Sequence, residues 1–324
     1  MASFDVELSR KGPGVMARDI LRRDPQAIAV AQVVAHVAPD ILMLQGVDYD
    51  HNLHGAMALR DLMSEHGIFY PHAFALPTNA GAASGIDLDG DGRTYGPRDA
   101  QGYGRFYGDG AMVLFSRWPI ATEGVQDFSA LLWRDLPGAT LPEVDNRPFP
   151  SAMALEAQRL SSVGHWSVPV TGPDGKMLNL LTFAAGPPVF DGPEDRNGLR
   201  NADELRLVSM MMAGEIGKAP EGAFVVLGNA NLDPDRGEGR QEAIRALLSD
   251  RRLQDPHAGM GPTVDWTDPI PGNLRVDYVL PSADLAVFDA GVFWPRKGTE
   301  EHATLSHKGT DASRHRLVWV DLDL

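Results

Sequence analysis

Short apolar runs alternate with helical stretches of amphipathic period along the whole chain, and this alternation limits the fold more than any other feature. Ile41 to Leu44, Ala111 to Ser116, Leu178 to Phe183 and Ala223 to Leu227 are too short for buried helices and read as strands. Further strands are expected at Phe4, Arg275 to Leu280, Ala286 to Phe293 and Leu317 to Leu322. Asp24-Pro25 supplies an N-cap followed by proline at the first helical position, and Ile28, Ala31, Val34 and Val37 recur at helical spacing before Pro39. Other helices are expected from Met57 to His66, stopped by Gly67, and over Asp203 to Ile216 and Glu242 to Leu248. Met210 to Met212 read as core filler within their helix. Residues 77–110, rich in Gly, Asp and Pro, read as a long surface excursion, and residues 134–151 as a proline-rich connection. No repeat or linker divides the chain, so residues 1–324 read as one α/β domain.

Charge and composition narrow the function classes. The formal net charge is −15, which repels phosphate backbones, and no segregated basic patch offsets it, so broad nucleic-acid binding is disfavoured. No apolar run approaches the roughly 18 residues of a membrane span. Cysteine is absent, which excludes disulfide and thiol chemistry. Met1-Ala2-Ser3 leads directly into the first strand, which fits a cytoplasmic protein, or a periplasmic or secreted one whose signal peptide has been removed.

Six motifs occur in order. Phe4-Asp5-Val6 comes first, then Leu42-Met43-Leu44-Gln45-Gly46-Val47 and Ser116-Arg117-Trp118-Pro119-Ile120. Leu227-Gly228-Asn229-Ala230-Asn231, Arg275-Val276-Asp277-Tyr278-Val279-Leu280 and Ser313-Arg314-His315-Arg316-Leu317-Val318 follow. Together they resemble the endonuclease/exonuclease/phosphatase (DNase I-like) superfamily: a strand carrying Asn, a strand ending in Gln-Glu, Ser-Arg-x-Pro-Ile, Gly-Asp-x-Asn, Arg-Ile-Asp-Tyr and Ser-Asp-His. The resemblance implies a four-layer sandwich, two packed mixed β-sheets flanked by helices, with a site at one end. In active members it also implies an acidic cluster holding Mg²⁺ or Mn²⁺ against a phosphate, a His for phosphate stabilisation or proton transfer, and an Asp-activated water.

Several positions depart from that pattern. The metal-binding Glu falls at Gly46 and the His after strand Leu178 to Phe183 at Ala184. The Asp of Gly-Asp-x-Asn is Asn229, the Asp of Ser-Asp-His is Arg314, and the first-strand Asn is Asp5. Asn231, Asp277 and His315 match. Losing a positioned acid or base costs roughly 10² to 10⁴ in rate, and a lost metal costs several kcal/mol more. The leading expectation is therefore a degenerate member whose old cleft binds an unknown ligand or protein. The alternative is a phosphatase, phosphodiesterase or nuclease with altered Mg²⁺ or Mn²⁺ ligation, in which Asp5 and Asp277, with Asp48, gather a weaker cation and His315 remains as general base.

Two loops add candidates. Asp87-Leu88-Asp89-Gly90-Asp91-Gly92-Arg93 opens like a calcium loop, so a structural Ca²⁺ is expected on Asp87, Asp89, Asp91, the Arg93 carbonyl and Asp99, against a reading as a solvated acidic turn. Calcium at useful concentration points outside the cytosol. In the segment after Asp191, Arg196, Asn197 and Arg200 are candidates for gripping an anionic group, unless the arginines pair with the loop's own Glu194 and Asp195. Tyr103 is a further ligand-binding candidate, with a plain aromatic loop anchor as the competing reading.

Overall fold

Asp24 turns its carboxylate onto the N–H groups of Gln26 and Ala27 and starts the helix Pro25–Val37, as the Asp-Pro pair predicts. In the computed structural model, which describes residues 1–267 and 269–324, the apolar runs become strands of two mixed sheets. In chain order the strands are β1 (Ala2–Asp5), β2 (Ile41–Val47), β3 (His72–Phe74), β4 (Ala111–Ser116), β5 (Gln126–Asp127), β6 (Glu143–Val144), β7 (Arg147–Pro148) and β8 (Gly164–Thr171). They continue as β9 (Met177–Ala184), β10 (Phe224–Asn229), β11 (Asp277–Pro281), β12 (Val287–Val292), β13 (Ser306–His307), β14 (Thr310–Asp311) and β15 (Val318–Leu322). The main helices are α1 (Val15–Leu21), α2 (Pro25–Val37), α3 (His54–Glu65), α4 (Ala152–Ala157), α5 (Arg196–Ala213) and α6 (Gln241–Leu248), with a single turn, α7 (Glu300–Ala303).

One sheet runs β12-β15-β1-β2-β4-β3 and the other β11-β10-β9-β8-β5, while β6-β7 and β13-β14 are small hairpins. Strand β1 lies parallel to β2, and β9 parallel to β10, so these four strands point their C-terminal ends the same way within each pair. Side-chain alternation builds the layers. Ile41 and Met43 of β2 face an inter-sheet core with Leu180, Val225 and Val318, while Leu42 and Leu44 pack outward with Val30 and Val34 of α2. Leu181 and Phe183 face outward on the second sheet and meet Leu205, Val208 and Met211 of α5. The result is the α/β/β/α sandwich that the motifs imply. No helix among the described residues is long and apolar enough to cross a membrane.

Three elements differ from the sequence expectation. Helix α5 begins at Arg196 instead of Asp203, because its first half buries polar groups (Arg196, Arg200, Asn201, Asp203, Glu204) and so lacks an apolar stripe. Strand β8 is not evident from sequence because it contains Pro169, which lies beyond the short β5 pairing and is tolerated there. Residues 77–110 do not simply run over the surface. Asn79 is fully buried and donates to Ser129 O and Ser161 O (2.6 and 2.8 Å), pinning the excursion as one wall of a cleft.

Candidate functional site

The ends of β1, β2, β9 and β10 border a cleft of about 1330 Å³, lined among others by Asp5, Gly46, Ala184, Asn229, Asn231, Arg196 and Tyr103. Gly228 permits the close strand approach on which this depends. A Cβ there would lie 1.9 Å from Phe183 O, far inside contact distance, so no larger residue fits between β9 and Asn229.

Asn229 spans two neighbours: its Oδ1 accepts the Asn231 N–H (2.7 Å), and its Nδ2 donates to Asp5 Oδ2 (2.9 Å). The resemblance marks an Asn on β1 and an Asp on β10, and here the carboxylate and the amide stand on the opposite strands. Asn231 donates its Nδ2 to Ala185 O (2.8 Å), which fixes the turn after β10. Beside this pair, His315 Nδ1 meets Asp277 Oδ2 at 2.8 Å, and the Thr263 hydroxyl donates to the same oxygen at 2.9 Å. Burial alone would push the His315 imidazole down, but the charges of Asp277 and Asp5, with the Asp277 hydrogen bond and Glu7, outweigh it and raise its pKa to about 9. On Asp277, burial acts in the other sense, raising its carboxyl by penalising the charged form.

A second ion pair closes the cluster. Arg314 donates from its backbone N–H to Glu7 Oε2 (2.9 Å) and from Nε to Glu7 Oε1 (2.9 Å), with Nη2 also on Oε1. Burial would raise the Glu7 carboxyl, yet the side-chain and backbone bonds from Arg314 hold it below the ordinary range. Glu7 escapes notice in the sequence, although Asp5-Val6-Glu7 has the alternation that puts two carboxylates on one side of an extended chain.

Gly46 is a bulge between paired Gln45 and Val47, with φ +69°. A Cβ at this position would sit 2.5 Å from Asp5 Oδ1 and 2.8 Å from the Glu7 N atom, so the β1 turn occupies the space a larger side chain would need. Ala184, at the end of β9, is an apolar wall beside Asn229. Asp48 points elsewhere: it accepts from the Ser9 hydroxyl (2.6 Å) and the Arg10 N–H (3.1 Å). For a divalent cation, the donor set near Asp5 is poor. Asp5 is engaged by Asn229 and the Glu7 N–H (3.3 Å), Glu7 by Arg314, and one oxygen of Asp277 by His315. Of these carboxylate oxygens, Asp277 Oδ1 is left buried without a partner among the described residues.

Elsewhere the acidic loop brings Asp87, Asp89 and Asp99 together, each offering an oxygen within 4.8 Å of the others. Asp91 accepts the Arg93 N–H (2.8 Å) in an exposed turn and is not one of the three converging carboxylates. On α5, Arg200 is spent on backbone carbonyls: Nε bonds Leu160 O (2.8 Å), and Nη2 bonds Gln101 O (2.5 Å), Arg159 O (2.9 Å) and Ser161 O (3.1 Å). Asn197 donates its Nδ2 to Val189 O (2.7 Å). Asp195 pairs with Arg240 (2.7 Å) and Glu194 accepts the Gly192 N–H (3.1 Å), so neither acid takes Arg196. Glu204 lies fully buried at the cleft base, accepts N–H groups of Ser162 (2.5 Å) and Gly186 (2.8 Å), and is pushed by burial up to about 7. Nothing in its sequence context marks it.

A model of the Endonuclease/Exonuclease/phosphatase family matches residues 2–315. No curated protein matches the chain. Solved structures give the same fold at low identity. An endonuclease/exonuclease/phosphatase from Beutenbergia cavernae is 17% identical with a TM-score of 0.59, over 100% of this chain and 70% of that one. A family protein from Leptotrichia buccalis is 14% identical with a TM-score of 0.58, over 100% of this chain and 98% of the other. A mannosyl-6-phosphatase from Bacteroides thetaiotaomicron is 16% identical with a TM-score of 0.53, again over 100% and 98%.

The His315 ion pair makes a sharp pH prediction. By NMR titration the His315 imidazole deprotonates near 9 in the wild type. In Asp277→Asn, which removes the nearest charge and its hydrogen bond, it deprotonates at a clearly lower pH than in the wild type. Because the folded pKa is raised, its contribution to stability is complete below about 6.5 and fades as pH climbs through about 9. An unchanged titration in the variant contradicts the assignment.

Proposed function

The chain belongs to the endonuclease/exonuclease/phosphatase family, and from that premise we propose that its cleft serves to bind a ligand or partner without metal-assisted phosphoester cleavage. One observation carries this reading: where the resemblance implies a divalent cation, Arg314 pairs with Glu7, the Asn229 amide holds Asp5, and Gly46 brings no carboxylate. A Mg²⁺ or Mn²⁺ ion needs several anionic oxygens to replace its water. Here the Glu7 and Asp5 oxygens already serve Arg314, an amide or a backbone N–H, only Asp277 Oδ1 stays open among the described residues, and the Arg314 guanidinium repels a cation. The residues do not fit such an ion.

Without that ion, the chemistry left to the site is modest. Asn229 and Asn231 can orient a polar ligand, but neither amide can accept a proton from water. His315, already protonated, is a poor general base below pH 9. Ala184 presents a methyl group to the cleft and offers no proton transfer.

A structural calcium site is also proposed at the acidic loop. It is supported by the convergence of Asp87, Asp89 and Asp99, whose burial and mutual repulsion push the Asp99 carboxyl up unless a cation relieves them. The expected carboxylate set is smaller than an EF-hand's, since Asp91 lies outside the converging group.

Two outcomes follow. Hydrolysis of bis(p-nitrophenyl) phosphate in Mg²⁺ or Mn²⁺ stays at background, at least about 10³-fold below an active family member, and does not change in Asp277→Ala/His315→Ala. Turnover that vanishes in that variant contradicts the binding reading. Separately, Ca²⁺ raises the melting temperature by a few degrees through linkage, and Asp99→Asn abolishes the effect. Equal melting with Ca²⁺ and with chelator removes the calcium site.

A further inference from the structure

Arg196 opens α5 at the edge of the cleft with only 9% of its surface exposed, and its Nη1 is buried with no hydrogen-bond partner among the described residues. A buried cationic donor left unpaired is costly, so such groups almost always meet an acceptor. Its neighbours do not supply one. Burial lowers the proton affinity of its guanidinium, Asp89, Asp191 and Glu194 act against that from nearby, and no carboxylate pairs with it among the described residues. Asp191 accepts the Asn197 N–H (2.5 Å), Glu194 that of Gly192 (3.1 Å) and Asp89 that of Asp91 (3.1 Å). A second guanidinium, Arg98, lines the same cleft and repels Arg196. The charges acting on Arg196 are a different set from Asp277, Asp5 and Glu7, which act on His315.

Aromatic rings line the same cleft. Phe149, Tyr103 and Phe190 border the cleft, with Tyr103 66% and Phe190 74% exposed. Phe190 also holds a φ of +72°, which bulky side chains rarely adopt. We propose that Arg196, with Arg98 beside it, is an oxyanion subsite, and that the cleft takes a small molecule bearing one carboxylate, sulfate or phosphate group and a flat apolar face. This rests on the binding reading above and narrows it. The guanidinium supplies charge-assisted N–H bonds to the oxyanion and the rings cover the apolar face. The carboxylates nearby make the field mixed, so it admits one oxyanion and repels a polyanion such as a polynucleotide.

The test uses phenyl sulfate, which is not a phosphoester, so its outcome is independent of any phosphoester turnover. NMR titration of the full chain with phenyl sulfate and with phenol is expected to show saturable binding of the sulfate, about tenfold or more tighter than phenol. Arg196→Gln and the exposed-site variant Arg98→Gln, each checked for unchanged melting, are expected to lose most of that preference, and Arg196→Lys to keep part of it. The Arg98 variant keeps the test decisive if Arg196→Gln fails to fold. Saturable binding with the same preference in the arginine variants overturns the subsite while leaving binding at the cleft intact. No saturable binding of phenyl sulfate by the wild type overturns it as well.

Discussion

Three carboxylates, Asp5, Glu7 and Asp277, gather where the strands of both sheets end, and such a cluster survives burial only if its charge is cancelled. Desolvating an unpaired carboxylate costs several kcal/mol, and opposite charges within hydrogen-bond range recover it only when the geometry is good. This chain cancels the charge with its own groups. Arg314 grips Glu7 from side chain and backbone, His315 pairs with Asp277, and the Asn229 amide donates to Asp5. These contacts engage Glu7, Asp5 and one oxygen of Asp277 within the protein and leave Asp277 Oδ1 open among the described residues.

The exchange of carboxylate and amide between β1 and β10 has a simple consequence. An Asp at 229 would face Asp5 across a 2.9 Å contact, two like charges that call for a proton or a metal between them. With Asn229 the same contact is an ordinary hydrogen bond. Gly46 completes the change, since the β1 turn through Glu7 fills the volume next to it. Restoring a Glu at 46 alone would therefore clash before it could ligate anything. The substitutions at Asp5, Gly46, Asn229 and Arg314 form one mutually consistent set.

Much of this was legible from residues alone, for physical reasons. Strands such as β2 and β10 are buried on both faces and appear as continuous apolar runs; α2 announces itself by its Asp-Pro cap; the order of six motifs carries the sandwich. Helix α5 was legible only in its second half, because Arg200 and Glu204 make polar bonds inside the protein and no apolar period marks them. The site positions Asp5, Asn229, Asn231, Asp277 and His315 could be named, but the ion pair of Glu7 with Arg314 could not. It joins residues 307 apart in sequence, and local pattern carries no trace of such a contact. For the same reason, the sequence could not tell that Arg196 stays unpaired while Arg200, four residues on, is fully bonded.

The central claim is that internal cations have taken the place of a divalent ion at the end of the sandwich. Anomalous diffraction from crystals equilibrated with saturating Mn²⁺ tests it most directly. The expected map shows no manganese peak at Asp5 and Asp277, with Arg314 still on Glu7. A manganese ion coordinated by Asp5 and Asp277, with Arg314 displaced, contradicts the account.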